Sequence, residues 1–592
     1  MVCNELVLIS SNDDARSQYI GSQAKQQLVK NSQNTITGFR NLLGKKCVVA
    51  RSPTNVGLIA KTNRFSEVPQ DKLSVSTLVI QHPSLPDTPA YKVKVLQPAP
   101  SPLPVTATNT PAASHVATPR SEPLEVDRIL TASEVTAIFL GSLRQSAEDF
   151  LGKKIFGAVI AVPSWFDNAQ REAVSKAAEE AGIHVLQLLD DAGAVAACTS
   201  ESIDCAPSDR TQLIVDLGAS SLELSLLSIR EGLAYSLATL SDPTIGGDEI
   251  DSKLIRFFAK EFTKKTKTPL TVAPATDPQD KRPEAKLRLA VEHTKRTLSA
   301  SPGAATCSVE SLKDGLDYTG SINRLRFDME VRSIYDKVYA KVKELAEHAE
   351  VDPYDIDEIV YIGGSASLLG LDETLSQGFT ESIITPFKAG TVVGGVGDPT
   401  TILARGCALQ AHLLVSLAQV SSEELLATFS KESEVTSVAA TSRTIGLLVP
   451  QEDAEGSLGG VWIPLVLKET PLPCRRTLTF NVDASRVDTK VGFELWEVKE
   501  GVKIDHVKPP KLENEEEAQE EEEEELEEVK EKTLTKEAYL ASLSLSPQNP
   551  VNGKTTVQVQ AIVSNAGALQ VTFREVIKDG FGEAVTATIA AP

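Results

Sequence analysis

Asp216-Leu217-Gly218-Ala219-Ser220-Ser221-Leu222-Glu223 is the stretch on which the reading of this chain turns. An apolar run, Leu213–Asp216, ends in small residues, and a second run, Leu222–Ser228, leaves them. The pattern predicts two strands joined by a tight Gly/Ser turn. Backbone N–H groups in such a turn can face a phosphate closely, and an acid at the strand end, Asp216, can hold a metal-bound water. Taken alone, such a turn is more often an ordinary hairpin.

Three further elements lie downstream. Ile245-Gly246-Gly247-Asp248 places two glycines and a carboxylate at a helix start, where backbone can approach an anion. Tyr361-Ile362-Gly363-Gly364-Ser365 puts a glycine pair at the carboxyl end of a strand, the place where ligands sit in open α/β sheets. Between them, Glu292, Lys295, Arg296 and Ser299 share one helix face, fit either to grip a nucleoside or to form a solvated salt-bridge stripe. Each element singly has an uneventful reading; their joint order over residues 216–365 is what carries weight.

The surrounding texture is that of a layered α/β domain. Strands are expected at Ile155–Val162, Ile183–Leu188 and Glu358–Ile362, and helices at Asn168–Ala181, Lys281–Leu298 and Pro399–Leu417. After Thr444 the pattern changes to short alternating strands (IGLLV, GVWIPLVL, RTLTFNV, VGFELWEV, TTVQVQAIV, ALQVTFREV), which suggests a β-sandwich. Three composition shifts punctuate the chain. Leu96–Glu125 is rich in Pro, Ala, Ser and Thr and reads as a solvated insertion; Ser421–Arg443 is polar and reads as a connection; Glu513–Glu528 carries twelve glutamates in sixteen positions and reads as a solvated acidic loop or a contact for a basic partner. The expected domains are 1–420, a linker 421–443, and 444–592.

Composition narrows the function. With 592 residues the chain can bury several cores. A net charge of −22, from 59 Lys+Arg against 81 Asp+Glu, argues against broad contact with nucleic-acid phosphates, which basic residues must neutralise. Seven scattered cysteines with no Cys-x-x-Cys pair suit a reduced compartment and give no zinc site. No run approaches the ~20 apolar residues that span a bilayer, and the N-terminal stretch has no basic region of the secretory kind. Cytosol is the expected location.

Taken together, the segments 216–223, IGGDEIDSKLI, VEHTKRTLSAS, VYIGGSASL and ARGCALQAHLL resemble the nucleotide-binding domain of the Hsp70 family, with its actin-like two-lobe fold. AVIAVPSWFDNAQREAV and QLLDDAGAVAA resemble that family's lobe I strand-helix unit and inter-lobe segment. The likeness covers most of residues 20–420 and, more loosely, 443–592 as the β-sandwich of a substrate-binding domain. The implied fold is an α/β actin-like two-lobe nucleotide-binding domain followed by an all-β sandwich, without the helical lid. The departures are specific. Where the family has DLGGGTFD this chain has DLGASSLE, so two glycines become Ala219 and Ser220, and the acid–proline pair of the connecting segment is Asp191-Ala192. The added Cβ atoms crowd the approach to phosphate. The family's first phosphate loop is expected to be missing, with Lys25 matching its phosphate-contacting lysine. The apolar interdomain linker and the lid are expected to be absent too.

These departures, with NTITGFRNLLG, DYTGSINRLRF and the acidic insertion, are similar to the Ssz-type subgroup of the fungal ribosome-associated complex. That resemblance implies a heterodimer with the J-protein zuotin, attachment to the ribosome through it, and service to a second, ribosome-bound Hsp70 acting on nascent chains. It implies ATP bound weakly or without hydrolysis, with magnesium left open and no catalytic or metal-ligating residue assigned. The nucleotide contacts it implies are Lys25, Asp216, Gly218, Ser221, Gly246, Gly247, Glu292, Lys295, Arg296, Ser299, Gly363, Gly364 and Ser365. An active ATP-driven foldase, or a sugar-kinase-like or actin-like member of the superfamily, are the alternatives.

Overall fold

A computed structural model of the chain describes residues 6–9, 18–46, 77–97, 124–199, 209–420, 439–450, 458–483, 490–507, 527–546 and 554–590, apart from residues 78, 86, 231, 302, 393, 394, 396, 578 and 579. Most of the proline-rich insertion, most of the 421–443 connection and nearly all of the acidic run lie outside the described residues.

Lobe I begins with strands β1 (Leu6–Ile9), β2 (Gln18–Ile20) and β3 (Thr35–Thr37) in one antiparallel sheet, helix α1 (Ser22–Gln26) following β2. A second antiparallel sheet joins β4 (Val79–Gln81), β5 (Pro89–Gln97) and β6 (Leu124–Thr131), the β5–β6 pairing running out to Gln97 opposite Leu124. Helix α2 (Ala132–Leu151) starts under a reciprocal cap between Thr131 and Glu134 and buries Val135 and Phe139 against Phe39 and Tyr91. The parallel pair β7 (Ala158–Val162) and β8 (Val185–Asp190) flanks α3 (Asn168–Glu180), and α4 (Asp191–Thr199) follows directly.

Lobe II is built on a four-stranded sheet ordered β11-β10-β9-β14, with β9 at Arg210–Leu217, β10 at Leu222–Arg230, β11 at Leu233–Asp242 and β14 at Glu358–Ile362. Only β14 runs parallel to its neighbour; the others are hairpin-connected. Every residue of β10 is buried, as expected of a strand covered on both faces. One face is covered by α5 (Gly247–Thr266), α6 (Lys281–Ala300) and α7 (Arg324–His348), whose apolar stripes meet the sheet in the largest core, and β12 (Ala304–Lys313) and β13 (Leu316–Asn323) extend it. After α8 (Leu369–Ser376), helix α9 (Ile402–Val420) packs on α4 so closely that a Cβ on Gly406 would run into the Ala194 carbonyl.

The C-terminal domain is a sandwich of two antiparallel sheets, β16-β15-β18-β19 and β17-β20-β21-β22. Its strands are β15 (Thr444–Pro450), β16 (Gly460–Val466), β17 (Cys474–Asp483), β18 (Val491–Val507), β19 (Glu527–Leu545), β20 (Lys554–Val563), β21 (Leu569–Ile577) and β22 (Gly580–Ile589). Inward-facing Leu447, Leu495, Val559 and Phe573 form the core between them, with Phe493 and Phe573 edge-to-face at 4.9 Å.

Several expectations shift. The strand expected from Ile155 starts at Ala158: pairing begins where Ala158 N–H donates to the His184 carbonyl, and Phe156, outside that pairing, is 79% exposed. The same pairing places β8 at Val185–Asp190 instead of Ile183–Leu188. The helix expected from Pro399 starts at Ile402 because Asp398 first closes a turn, accepting from Thr400 N–H and hydroxyl. Strands β19 and β22 had no counterpart in the sequence reading.

The two domains touch through the foot of the lobe II sheet. Arg230 Nε donates to the Lys468 carbonyl at 3.1 Å, Ser228 Oγ to the Glu469 carbonyl at 3.3 Å, and Arg476 Nη2 to Asp209 at 3.0 Å.

Candidate nucleotide-binding site

The β9–β10 hairpin turns as the small residues predict: Gly218 N–H donates to the Ser221 carbonyl at 3.0 Å, and Leu217 pairs with Leu222. The N-terminus of α5 is laid directly on it. Gly247 N–H donates to the Gly218 carbonyl at 2.9 Å and Asp248 N–H to the Ala219 carbonyl at 2.8 Å. A side chain on Gly246 would meet the Ala219 carbonyl oxygen at 2.6 Å, and one on Gly247 would run into the Ser365 hydroxyl. Gly363, at φ +86°, brings the third motif in: a Cβ there would lie 2.6 Å from the Leu217 carbonyl oxygen and 2.8 Å from Asp216 Oδ1. Gly364 beside it faces open space. Thus the segments that carry Asp216, Gly218, Ser221, Gly246, Gly247, Gly363, Gly364 and Ser365, separate in sequence, are packed together largely through backbone.

The α6 face joins these segments through α5. Lys295 Nζ bonds Asp251 at 2.8 Å, one turn beyond Asp248, and Arg296 bonds Glu292 at 2.8 Å with its side chain 64% exposed. Ser299 Oγ donates back to the Arg296 carbonyl. Lys25, carried by α1 of lobe I, pairs with Glu292 of lobe II and so ties the lobes across the cleft. Burial leads in lowering its pKa to about 8, Arg296 and Lys295 add to that, and Asp251 and Asp248 oppose it.

Lys25 therefore stands with the α6 residues and not at the Asp216 carboxylate. The cation that acts on that carboxylate is Arg40, which the sequence reading passed over. It sits on a single turn, Phe39–Leu42, entered through Gly38 at φ +64°. Its neighbour Asn41 donates to the Ser220 hydroxyl at 3.3 Å, so lobe I reaches the hairpin at the position where the added side chain stands. The segment NTITGFRNLLG contains both residues, but nothing local marks which cation faces the acid.

Three carboxylates gather near Arg40. Asp216 and Glu223 are directly opposite each other across the β9–β10 pair. Burial and then Glu223 push Asp216 up to about 7, and Arg40 pulls it back. Burial also raises Glu223, against the Trp165 indole N–H that donates to it at 2.8 Å, and against Arg40. Asp191, the first residue of α4, is held well above the usual carboxylate range by burial, then by Asp216 and Glu223. Hard oxygen donors of this kind suit a hydrated Mg²⁺ carried by a polyphosphate. Among the described residues no three acidic, His or Cys groups converge on one ion position, so such an ion would be met through water, with Asp216 and Asp191 nearest in kind. When bound, it would supply charge neutralisation for the phosphates.

No described helix is long and apolar enough to cross a membrane.

Comparison with known proteins follows the same outline. The family model described as Hsp70 protein matches residues 111–430. A heat shock protein 70 homolog of Schizosaccharomyces pombe is 31% identical over 585 residues, 97% of this chain and 88% of that protein. The ribosome-associated complex subunit SSZ1 of Saccharomyces cerevisiae is 28% identical over 563 residues, 94% of this chain and 89% of that protein. A ribosome-associated molecular chaperone of the same yeast is 29% identical over 374 residues, 63% of this chain and 55% of that protein.

Proposed function

The chain belongs to the Hsp70 family, and on that premise we propose that it is a ribosome-associated co-chaperone that holds nucleotide without useful turnover. It forms a stable heterodimer with a zuotin-type J-protein, sits at the cytoplasmic ribosome through that partner, and supports ATP hydrolysis by a second ribosome-bound Hsp70 acting on nascent chains. Similarity to SSZ1 over 94% of the chain supports the assignment to the complex. Residues Gly218, Ser221, Gly246, Gly247, Gly363, Gly364 and Ser365 take the phosphates, and Glu292, Lys295, Arg296 and Ser299 the nucleoside; Lys25 acts as the tie between lobes.

The observation that carries the non-catalytic reading is the state of the Asp216 hairpin. Phosphoryl transfer to water needs a positioned nucleophile and stabilisation of the charge on the transferring group. Here the turn carries Ala219 and Ser220 in place of glycines, and the Ser220 hydroxyl is engaged by Asn41, so side chains stand where a phosphate approaches the hairpin backbone. The partner's extended segment adds to a free sheet edge of the sandwich, where β16 and β19 bound one sheet and β17 and β22 the other.

The test is reconstitution with the J-protein, with and without its N-terminal segment, measuring co-elution and the second Hsp70's ATPase. Co-elution that depends on the segment, stimulation of the second Hsp70, and background single-turnover hydrolysis by this chain are expected. A clearly measurable ATPase that Asp216→Asn abolishes, together with refolding activity of this chain alone, replaces this reading with that of an active foldase.

A further inference from the structure

At the seam between the nucleotide-binding domain and the sandwich lies a half-open cavity of about 210 Å³. This is below the ~300–1,000 Å³ of sites that take nucleotides or drug-sized molecules, and matches a single polar side chain with its waters. Its walls carry five carboxylates against three cations. The cations are already matched: Arg210 by Glu358 at 2.7 Å, and Arg230 and Lys468 by Glu469, at 3.7 and 3.5 Å. Asp209 is matched by Arg476.

Two wall carboxylates come from opposite sides of the seam. Asp357, just before β14, accepts the Thr211 N–H on Oδ2 at 2.9 Å. Glu500, on β18 of the sandwich, accepts the Thr444 hydroxyl on Oε1 at 2.6 Å. Asp357 is half-buried and Glu500 exposed, and among the described residues the second oxygen of each accepts no protein hydrogen bond, leaving it open to solvent or to an incoming cation. Residues Leu467–Glu469, which follow β16, also line the cavity, and β16 and β17 are the edge strands of the two sheets. The β16 edge therefore ends at residues that line the cavity.

We propose that this cavity receives the guanidinium of an arginine carried by an extended partner segment, Asp357 and Glu500 being its carboxylates. The inference rests on the partner reading above and names its anchor. Arginine fits better than lysine because its planar fork of donors can meet two carboxylates from different elements at once, where an ammonium is a single point. Because the two acids belong to different domains, one side chain then holds the domains together. Partner binding and domain docking become one event.

The experiment measures binding of the J-protein's N-terminal segment to the full chain, to Asp357→Asn and to Glu500→Gln, after checking that both variants melt like the parent. Each should bind about tenfold more weakly. Replacing the segment's arginines one at a time by citrulline, an uncharged isostere, should find one position that reproduces the loss and adds nothing further on Glu500→Gln. Tight binding unaffected by every citrulline, or by both acid variants, overturns the inference while leaving the partner reading intact. If the segment fails to bind the parent chain, the partner reading falls. The cavity is then tested by saturation-transfer NMR with N-acetyl-arginine amide against N-acetyl-citrulline amide. An arginine signal lost in both variants sustains it as a guanidinium site; equal signals, or water and monovalent ions only, overturn it.

Discussion

Asp216→Asn should make this protein more stable, by an amount set by pH. In the native state Asp216 faces Glu223 across the β9–β10 pair and titrates at about 7, against an ordinary value of 3.8. That difference of about 3 units, at 1.36 kcal/mol per unit, sets a ceiling of about 4 kcal/mol on the cost of ionising it in place. The native state binds this proton more tightly than the unfolded chain, so this group's contribution to stability falls as pH rises from about 4 to about 7 and is level above that. Asparagine keeps the shape and removes the charge. The variant and parent should therefore differ little near pH 4. The gap should widen to about 2–4 kcal/mol by pH 8. Urea titrations followed by tryptophan fluorescence at pH 4.5, 6 and 8 measure it, Trp165 being the indole bonded to Glu223. A gap that does not change with pH, or a variant less stable than the parent at pH 8, refutes the argument that burial and Glu223 penalise the Asp216 charge.

Other consequences can be checked more briefly. Glu292→Gln removes the acid paired with the half-buried Lys25 and should cost about 1–3 kcal/mol, visible as a lower melting temperature and faster amide exchange in α1. Gly406→Ala drives a methyl into the Ala194 carbonyl and must separate α4 from α9; a loss of at least ~3 kcal/mol, or failure to accumulate folded protein, is expected in thermal melts. Arg230→Ala deletes that side chain's own bonds to Lys468 and Glu469 across the seam and should split a single calorimetric transition into two, one for each domain.

Local chemistry made much of the architecture legible. Strand β14 and helix α6 lie where periodicity puts them, because an apolar run ending in glycines and an i, i+3, i+4 stripe are each complete within a few turns of chain. The glycine motifs were legible for the same reason: each marks a place where backbone must come close to something. Long strands that take their support from neighbours were not. The outer half of β19 pairs with β18 from Lys499 to Val507 through mixed charged and apolar residues, with no alternation of its own to announce it.

By itself, then, the sequence determined a layered α/β domain, the sandwich after Thr444 and the order of the glycine-bearing turns, since each follows from a short stretch and its own solvent-exclusion pattern, while the two-lobe arrangement was legible only through the resemblance to the Hsp70 family. Which cation meets which acid was decided only in three dimensions. Lys25 and Arg40 are both lobe I cations in segments that read alike, and the fold sends one to Glu292 on α6 and the other toward Asp216, Glu223 and Asp191. The seam cavity is likewise tertiary, for Asp357 and Glu500 share it only because one domain docks on the foot of the other's sheet. Coulomb interactions act through space with a reach of several ångströms, so sequence distance carries no information about them.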